Sequence, residues 1–379
     1  MVDSAPDEPQ RAQITRRTRP RRRHERNHAL KPQKKNYPPI FPQPAAAEVT
    51  QITDGFYWAR FSLPFALDHV NVWLLDGGED GISIIDSGFN DAPTVAQWEA
   101  LFAAAPLKGR AVENLFFTHF HPDHFGLAGW LHSKTGARVQ MTPGEWRMVQ
   151  SLTDADNVER LEQLYRPYYN HAGVAEDVLE KLLNRRMGYR SVIHPPPPSV
   201  ETVHPAQTVI LGGHAWRIIG GYGHSPEHAS LYCAEEKLFI AGDMVLPFIT
   251  PNISYFPGNA PGHDPVNLYM ETLKAIRAEV PDDVLVLPSH GIPFRGLHER
   301  VDDILAHHHH RLDKLSQVLA EGPQTGYAAM QGLFAHRQLK SGDVFFALGE
   351  TIAHLVYEVR RGNVVEKFEE NRIIYQRGS

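Results

Sequence analysis

The part of the sequence that most constrains the fold is a cluster of polar side chains directly after a largely apolar run. Three histidines and one aspartate fall within six residues, at His119, His121, Asp123 and His124. The run before them, 114–117, is typical of a buried strand. Because buried polar groups in this number need a metal ion or a hydrogen-bond network, the chain must fold so that this strand end forms a polar site.

The spacing of these side chains predicts two neighbouring metal positions. Side chains two residues apart on an extended strand point the same way, so His119 and His121 can bind one ion together. Pro122 keeps His121 extended, and a helix is predicted to begin at Asp123. Asp123 and His124 would then turn towards a second position. A strand-end loop whose histidines only cap and form hydrogen bonds is the alternative interpretation.

Three later strand ends carry further candidate ligands. His224 follows a predicted strand, and the glycines near it let its side chain approach a ligand closely. Asp243 and His290 each follow another apolar run with the pattern of a strand. Because open α/β sheets usually place their chemistry at the carboxyl ends of strands, these groups are predicted to belong to one site.

The pattern H-x-H-x-D-H and the three later residues resemble the signature of the metallo-β-lactamase superfamily, over about residues 50–295. The resemblance implies an α/β fold, a four-layer αββα sandwich. It also implies that one metal is held by His119, His121 and His224 and the other by Asp123, His124 and His290, with Asp243 bridging both. Asp86, which ends another predicted strand, would orient the ligand loop.

The expected cofactors are two Zn²⁺ ions, with iron or manganese as alternatives. Cys233 is the single cysteine, so neither an intramolecular disulfide nor a thiolate cluster can form. Ligation by nitrogen and oxygen suits these metals. The resemblance implies a hydrolase in which a water bridging the two ions is ionised near neutral pH and attacks an acyl or phosphoryl centre. Asp123 would be catalytic, by orienting this nucleophile and taking part in proton transfer.

The chain is predicted to divide into three parts. Residues 1–48 hold 11 Lys and Arg against 5 Asp and Glu, and many prolines, which predicts a disordered basic tail. Residues 49–296 form the predicted catalytic domain, in which polar helical segments over 143–198 form an inserted cap. Residues 297–379 begin with a long predicted helix over 297–321 and continue as helix, helix and hairpin, which predicts a small winged-helix-like domain. The four histidines at 307–310 are predicted to lie on a solvated helix face.

Thioester hydrolysis is the leading functional prediction. The bridging aspartate and the absence of a cysteine ligand resemble glyoxalase II and related thioesterases, which implies acyl-CoA, an acyl carrier protein or a glutathione thioester as substrate. A lactone or other ester hydrolase stays open, because the sequence does not give the shape of the cap. A single-strand endoribonuclease is the second alternative. The winged-helix-like C-terminal part and the arginine-rich tail favour it, and the residues after the tail, with 27 basic against 39 acidic side chains, oppose it.

The predicted partners are small molecules. No apolar run of the sequence reaches the roughly 20 residues needed to cross a bilayer, so we expect a cytoplasmic protein without a membrane partner. The C-terminal part carries nearly balanced charges and therefore lacks the electrostatic footprint of a nucleic-acid-binding domain. A packing role, or formation of a homodimer, is predicted for it instead.

Overall fold

Two β-sheets packed face to face form the centre of the protein. A computed structural model describes residues 37–154, 157–257 and 262–378. Within these ranges the first sheet has seven strands, hydrogen-bonded in chain order: β1 (Val49–Thr53), β2 (Phe56–Ser62), β3 (His69–Asp76), β4 (Ile82–Ile85), β5 (Val112–Phe116), β6 (Arg138–Met141) and β7 (Glu201–Thr202). The second sheet, in the same ranges, has five: β8 (Thr208–Leu211), β9 (His214–Gly221), β10 (His228–Cys233), β11 (Leu238–Gly242) and β12 (Leu285–Pro288).

The inner faces of the two sheets share an apolar core. Trp58 and Trp73 stack on the first sheet with ring centroids 6.2 Å apart. Phe56 meets Trp216 of the second sheet at 6.0 Å between centroids. All four rings are buried, and burial of each large apolar side chain contributes about 1.5–3 kcal/mol. The alternation of buried and less buried residues along β2 sets which of its side chains enter this core.

Helices cover the outer faces of both sheets. The described residues form ten α-helices: α1 (Ala92–Phe102), α2 (Pro122–Phe125), α3 (Ala128–Thr135), α4 (Pro143–Thr153), α5 (Asn157–His171), α6 (Glu176–Met187), α7 (Pro265–Glu279), α8 (Leu297–Val318), α9 (Gly326–Leu333) and α10 (Ser341–Arg360). Trp98 of α1 and Leu131 of α3 pack on the first sheet, and Leu273 of α7 and Ile304 of α8 pack on the second. The layers confirm the predicted αββα sandwich.

Sequence signals explain where α1 and α7 begin. Asp91 accepts a hydrogen bond from the backbone N–H of Thr94 at 2.9 Å, and Asp264 accepts one from Asn267 at 3.0 Å. Each aspartate therefore caps the N-terminus of α1 or α7 and satisfies a backbone donor that has no partner within the helix. In both helices a proline lies in the first turn, where its missing N–H removes no helical hydrogen bond.

The inserted helices and the C-terminal part of the chain share a core. A third sheet of the described residues contains β13 (Gln324–Thr325), β14 (Val364–Glu369) and β15 (Arg372–Arg377), with β15 in the middle. Tyr169 and Leu179, from α5 and α6, are buried in one cluster with Met330 and Leu348, from α9 and α10. We call this cluster the cap/C-terminal core. The predicted cap is therefore packed against the C-terminal part, whose winged-helix-like character stays a prediction.

The predicted basic tail, residues 1–48, includes residues that pack on the body of the protein. Residues 1–36 lie outside the described residues, but 37–48 do not. The ring of Tyr37 lies 4.7 Å from that of Phe294 and 6.0 Å from that of Phe248, and Phe41 packs against the core between the sheets. The two aromatic side chains of this proline-rich segment therefore pack on the body of the protein, so a tail boundary at residue 48 is too late.

The prediction for the histidines of α8 is wrong for His308. This side chain is buried, and its Nδ1 lies 3.2 Å from Nε2 of His354 in α10. The reason is that α8 packs against α7 on one side and α10 on another, so its polar side is also covered. Across the described residues, every helix is too short or too polar to span a lipid bilayer.

Candidate metal centre

The predicted ligands meet at one edge of the sandwich, where strands of both sheets end. β5 of the first sheet runs into the histidine motif, and β9, β11 and β12 of the second sheet each end shortly before one further ligand. The structure brings together all seven side chains: His119, His121, Asp123, His124, His224, Asp243 and His290. Residues more than 160 positions apart in the sequence therefore contribute to one site.

Three imidazoles form the first donor group. Nε2 of His119 lies 2.9 Å from Nδ1 of His121 and 3.4 Å from Nε2 of His224. All three nitrogen atoms lie within 4.8 Å of one another. Nitrogen atoms that converge in this way can bind one cation together.

Asp123, His124 and His290 form the second donor group. Oδ2 of Asp123 lies 3.6 Å from Nε2 of His124 and 3.5 Å from Nε2 of His290. Oδ1 of Asp243 faces the same group, at 3.6 Å from Nε2 of His124 and 3.3 Å from Nε2 of His290. The other oxygen, Oδ2, lies 3.4 Å from Nε2 of His224 in the first group. One carboxylate thus faces both donor groups.

Buried polar atoms in this site fit a cation. Nε2 of His124, Nε2 of His290 and Oδ1 of Asp243 are inaccessible to solvent and have no hydrogen-bond partner among the described residues. Leaving a buried polar atom without a partner costs about 1–3 kcal/mol. A cation among these atoms would satisfy all three, and nitrogen and oxygen donors suit zinc, iron and manganese.

The local charge also favours a cation. Burial lowers the pKa of His124, but the neighbouring Asp123, Asp243 and Asp86 outweigh it and raise that pKa to about 10. In the absence of metal these carboxylates therefore hold a proton on a completely buried imidazole. A metal ion would take the place of that positive charge, because ligation requires the neutral ring.

Asp86 connects the ligand loop to the end of β4. Its Oδ2 accepts a hydrogen bond from Nδ1 of His124 at 2.8 Å, and its Oδ1 accepts one from the backbone N–H of Thr118 at 2.8 Å. The hydroxyl of Thr118 also donates to Asp86 and accepts from Nδ1 of His119, 3.0 Å away. Asp86 thereby restrains the rings of two candidate ligands, one directly and one through Thr118.

Backbone carbonyl groups orient two further rings. Nδ1 of His290 donates to the carbonyl oxygen of His69 at 2.7 Å. Nδ1 of His224 donates to the carbonyl oxygen of Asn252 at 3.0 Å. Since the proton of each neutral ring is on Nδ1, Nε2 is left as a lone-pair donor that faces the other ligands.

Glu145 is a structural residue of the site that the sequence did not reveal. It lies buried in α4, where its Oε2 accepts from the backbone N–H of Phe120 at 3.0 Å. Its Oε1 accepts from the hydroxyl of Ser225 at 2.6 Å and from the backbone N–H of Glu227 at 2.7 Å. One carboxylate therefore connects the loop of His121 to the loop of His224. Burial raises the pKa of Glu145 to about 7, although its hydrogen bonds lower it.

His228 is a second such residue. Its Nε2 accepts a hydrogen bond from the backbone N–H of Asp243 at 3.2 Å, and its ring centroid lies 5.0 Å from that of His119. Burial lowers the pKa of His228 to about 3, so the ring is neutral and can accept this hydrogen bond. The signal in the sequence was a second histidine four residues after His224.

Comparisons with known proteins identify the family. The sequence profile of the metallo-beta-lactamase superfamily matches residues 66–290, and that of the metallo-beta-lactamase-like C-terminal domain matches residues 312–377. The chain therefore belongs to the metallo-beta-lactamase superfamily.

Three relatives are similar to almost the whole chain. A probable metallo-hydrolase of Bacillus subtilis is 24% identical over 331 residues, which cover 86% of this chain and 98% of the relative. The crystal structure of a beta-lactamase domain protein from Burkholderia ambifaria has a TM-score of 0.81 and 34% identity, and covers 90% of this chain and 98% of that one. A metallo-beta-lactamase family protein from Thermus thermophilus has a TM-score of 0.73 and 25% identity, over 86% of this chain and 100% of that one. The protein is thus a metallo-hydrolase of this superfamily.

Proposed function

We propose that this metallo-hydrolase binds two zinc ions and cleaves a thioester that carries an apolar acyl group. Acyl-CoA, acyl carrier protein and glutathione thioesters are the candidate substrates. The position of Asp243 is the observation that carries the two-metal part of the proposal. Its two carboxylate oxygens face two separate donor groups, as a bridging ligand would require.

The surroundings of the site support an apolar acyl group. The exposed fractions of Phe65, Phe248 and Ile249 are 50%, 44% and 44%. The ring of Phe248 lies against Gly291, the residue after the ligand His290. Phe65 belongs to the loop that leads into β3, whose first residue, His69, accepts a hydrogen bond from Nδ1 of His290. Exposed apolar groups beside a polar site are typical of a surface that binds a ligand.

We call the exposed side chains of Phe248 and Ile249 the apolar rim. Arg300 fixes the segment that carries them. Its side chain is buried, and its Nε donates to the carbonyl oxygen of Leu246 at 2.6 Å. Its Nη2 donates to the carbonyl oxygen of Ile249 at 2.7 Å. The segment that carries Phe248 and Ile249 is therefore fixed by two charge-assisted hydrogen bonds, which would keep these side chains available to a substrate.

Asp123 is the proposed proton-transfer residue. The side chains of His124 and His290 are almost completely covered, whereas that of Asp123 is 19% exposed. Its carboxylate can therefore contact both the ligand cluster and a substrate that enters from solvent. When bound, the two ions would polarise the substrate carbonyl and lower the pKa of the attacking water. Asp123 would accept the proton of that water and pass it to the leaving thiolate.

Thiol release by the zinc-loaded protein tests the proposal. Substrates would be acyl-CoA of short, medium and long chain and S-lactoylglutathione, with Asp123→Asn as the blank, because it retains Cys233. We expect release that depends on Asp123 and increases with the length of the acyl chain. No release from protein shown to contain two metals would overturn the thioester assignment.

A lactone or ester hydrolase is the second candidate, because the same apolar rim would accept an alkyl chain. Acid release from long-chain lactones, measured with the same preparations, distinguishes it from the thioesterase. Cleavage of single-stranded RNA by the same protein would instead favour the endoribonuclease.

A further inference from the structure

The imidazole of His224 is oriented by an irregular segment of the chain. Its Nδ1 donates to the carbonyl oxygen of Asn252 at 3.0 Å. Residues 251–256, which include Asn252, form neither helix nor strand. Their position is therefore set by whatever packs against them rather than by a sheet or helix of their own.

Helix α10 packs against one side of this segment. The backbone N–H of Tyr255 donates to the carbonyl oxygen of Gly349 at 3.0 Å. The side-chain amide of Asn252 donates to the carbonyl oxygen of Phe346 at 3.3 Å. Both acceptors lie in α10, a 20-residue helix of the C-terminal domain. The orientation of His224 is thus connected to this domain by two hydrogen bonds.

Gly349 allows α10 to lie unusually close to the segment. A Cβ atom at this position would lie 2.6 Å from Oγ and 2.9 Å from Cβ of Ser254. The hydroxyl of Ser254 in turn donates to the side-chain oxygen of Asn252. Any other residue at position 349 would therefore have to displace Ser254, and Asn252 with it.

The cap packs against another side of the segment. The hydroxyl of Tyr168, in α5, donates to the carbonyl oxygen of Tyr255 at 2.7 Å. α5 and α10 both contribute to the cap/C-terminal core. The segment is therefore held by two helices that are themselves packed together, outside the β-sandwich.

Other candidate ligands are oriented from within the sandwich. The Nδ1 atoms of three of them form the hydrogen bonds described above. Nδ1 of His119 contacts the hydroxyl of Thr118, Nδ1 of His124 contacts the carboxylate of Asp86, and Nδ1 of His290 contacts the carbonyl oxygen of His69. We propose that the cap/C-terminal core positions His224 through the segment 251–256. In this way it would set the zinc affinity of one of the two proposed metal positions. The C-terminal domain is then part of the metal centre's support as well as a separate packing unit.

Zinc titration of matched variants tests this proposal. Gly349→Ala introduces a methyl group against Ser254, while alanine favours the helical state of α10. The matched control is Gly326→Ala in α9 of the same domain, where the nearest atom to the new Cβ is Cγ1 of Ile352, at 3.3 Å. Metal-depleted protein would be titrated with Zn²⁺ in competition with a chromophoric chelator. We expect Gly349→Ala to weaken one of two binding events by about tenfold or more, and Gly326→Ala to change neither.

A His224→Ala background shows which binding event is affected. His224→Ala should lose one event, and Gly349→Ala should add nothing further in that background. Ser254→Gly combined with Gly349→Ala should restore most of the lost affinity, because it removes the atoms that the new methyl group meets. Tyr168→Phe, which removes one hydroxyl, should weaken the same event and serves as the test if Gly349→Ala does not fold.

The outcomes separate this proposal from its premise, which is the proposed role of His224 as a metal ligand. If His224→Ala retains both binding events, the premise fails. If His224→Ala loses one event but Gly349→Ala and Tyr168→Phe leave that event unchanged, the role of the cap/C-terminal core is refuted. The proposal is also refuted if Gly349→Ala weakens both binding events equally. It is refuted as well if Gly349→Ala weakens the remaining binding event in the His224→Ala background.

Discussion

Oδ1 of Asp243 and Nε2 of His290 lie 3.3 Å apart, and in the described part of the chain neither atom has a hydrogen-bond partner. The ring proton of neutral His290 is on Nδ1, which donates to the carbonyl oxygen of His69. In this state two lone-pair donors face each other in a buried site. Burial lowers the pKa of His290, but Asp243 and Asp123 outweigh it and raise that pKa, so that without metal a positive charge on this ring is favoured. A cation would take the place of that charge and satisfy both atoms.

Loss of the Asp243 carboxylate should lower the metal content. Asp243→Ala removes the side chain that faces both donor groups, so we expect the zinc content of the purified protein to decrease by at least one ion per chain. Elemental analysis after reconstitution and desalting measures it. Asp91→Asn is the matched control, because asparagine also caps a helix N-terminus and Asp91 belongs to none of the candidate donor groups. Unchanged zinc content in Asp243→Ala would contradict the bridging role.

Replacement of Asp123 should affect turnover more than folding. Asp123→Asn retains the shape of the side chain but removes its ability to accept a proton. We expect kcat to decrease by about 10²–10⁴-fold, the range for general acid–base groups, with little change in the thermal unfolding midpoint. Steady-state thiol release and calorimetry on the same preparation measure both. Turnover close to that of the unmodified protein would exclude Asp123 as the proton-transfer residue.

Glu145 should contribute to stability through the loops it connects. Glu145→Gln keeps one acceptor oxygen but puts an amide donor in place of the other, so at least one buried N–H or O–H loses its partner. We expect a loss of about 1–3 kcal/mol in the free energy of unfolding, measured in urea. Glu176→Gln, at an exposed position of α6, is the control. Equal stability of the two variants would show that the contacts of Glu145 are dispensable.

His354 should make the stability depend on pH. Burial lowers the pKa of His354 to about 3, and it also lowers the pKa of the neighbouring His308. The unfolded chain, with a histidine pKa of about 6.5, therefore binds more protons between about pH 3 and pH 6.5 than the folded chain does. The stability is complete above this range and is lost as the pH falls, by about 2 kcal/mol at about pH 5 from His354 alone.

Urea unfolding of zinc-loaded protein at about pH 7 and about pH 5 checks this prediction. His354→Gln should be less stable at the higher pH, because glutamine does not fit the contact with His308, but it should lose less stability on acidification. The difference in pH dependence is the relevant quantity. If both proteins lose the same free energy between the two pH values, His354 is not responsible.

Phe248 should affect acyl-chain preference. Phe248→Ala removes an exposed ring that lies against Gly291, next to the candidate ligand His290, so we expect KM for a long-chain acyl thioester to rise by roughly three- to tenfold, consistent with the loss of one partly buried apolar contact. KM for a short-chain thioester should stay the same. Phe368→Ala, an exposed phenylalanine of β14, provides the control. Equal changes in KM for short-chain and long-chain thioesters would show that the apolar rim does not contact the acyl chain.

The convergence of the candidate ligands could be predicted from the sequence because each of them follows a strand or a strand-end loop. The apolar runs before His119, Asp243 and His290 indicate the strands, and the carboxyl ends of parallel strands meet at one edge of a sheet. The groups that orient these side chains were harder to predict from the sequence. His224 is held by a backbone carbonyl group, and any residue at position 252 would provide one. Glu145 lies in a polar helix whose sequence gives no sign of its burial.

The packing of the C-terminal part could not be predicted for a related reason. The period of α8 indicates a helix with a polar side, but the sequence does not reveal that α10 covers that side and buries His308. Short strands were missed as well. β7 and β13 contain two residues each, too few to show the alternation on which strand prediction depends.

Anomalous diffraction from crystals of the zinc-loaded protein, recorded at the zinc absorption edge, tests the two-metal centre most directly. Two peaks are expected at the edge of the sandwich, one among His119, His121 and His224 and one among Asp123, His124 and His290. Asp243 should contact both. A single peak, or two peaks of which only one lies next to Asp243, would contradict this prediction.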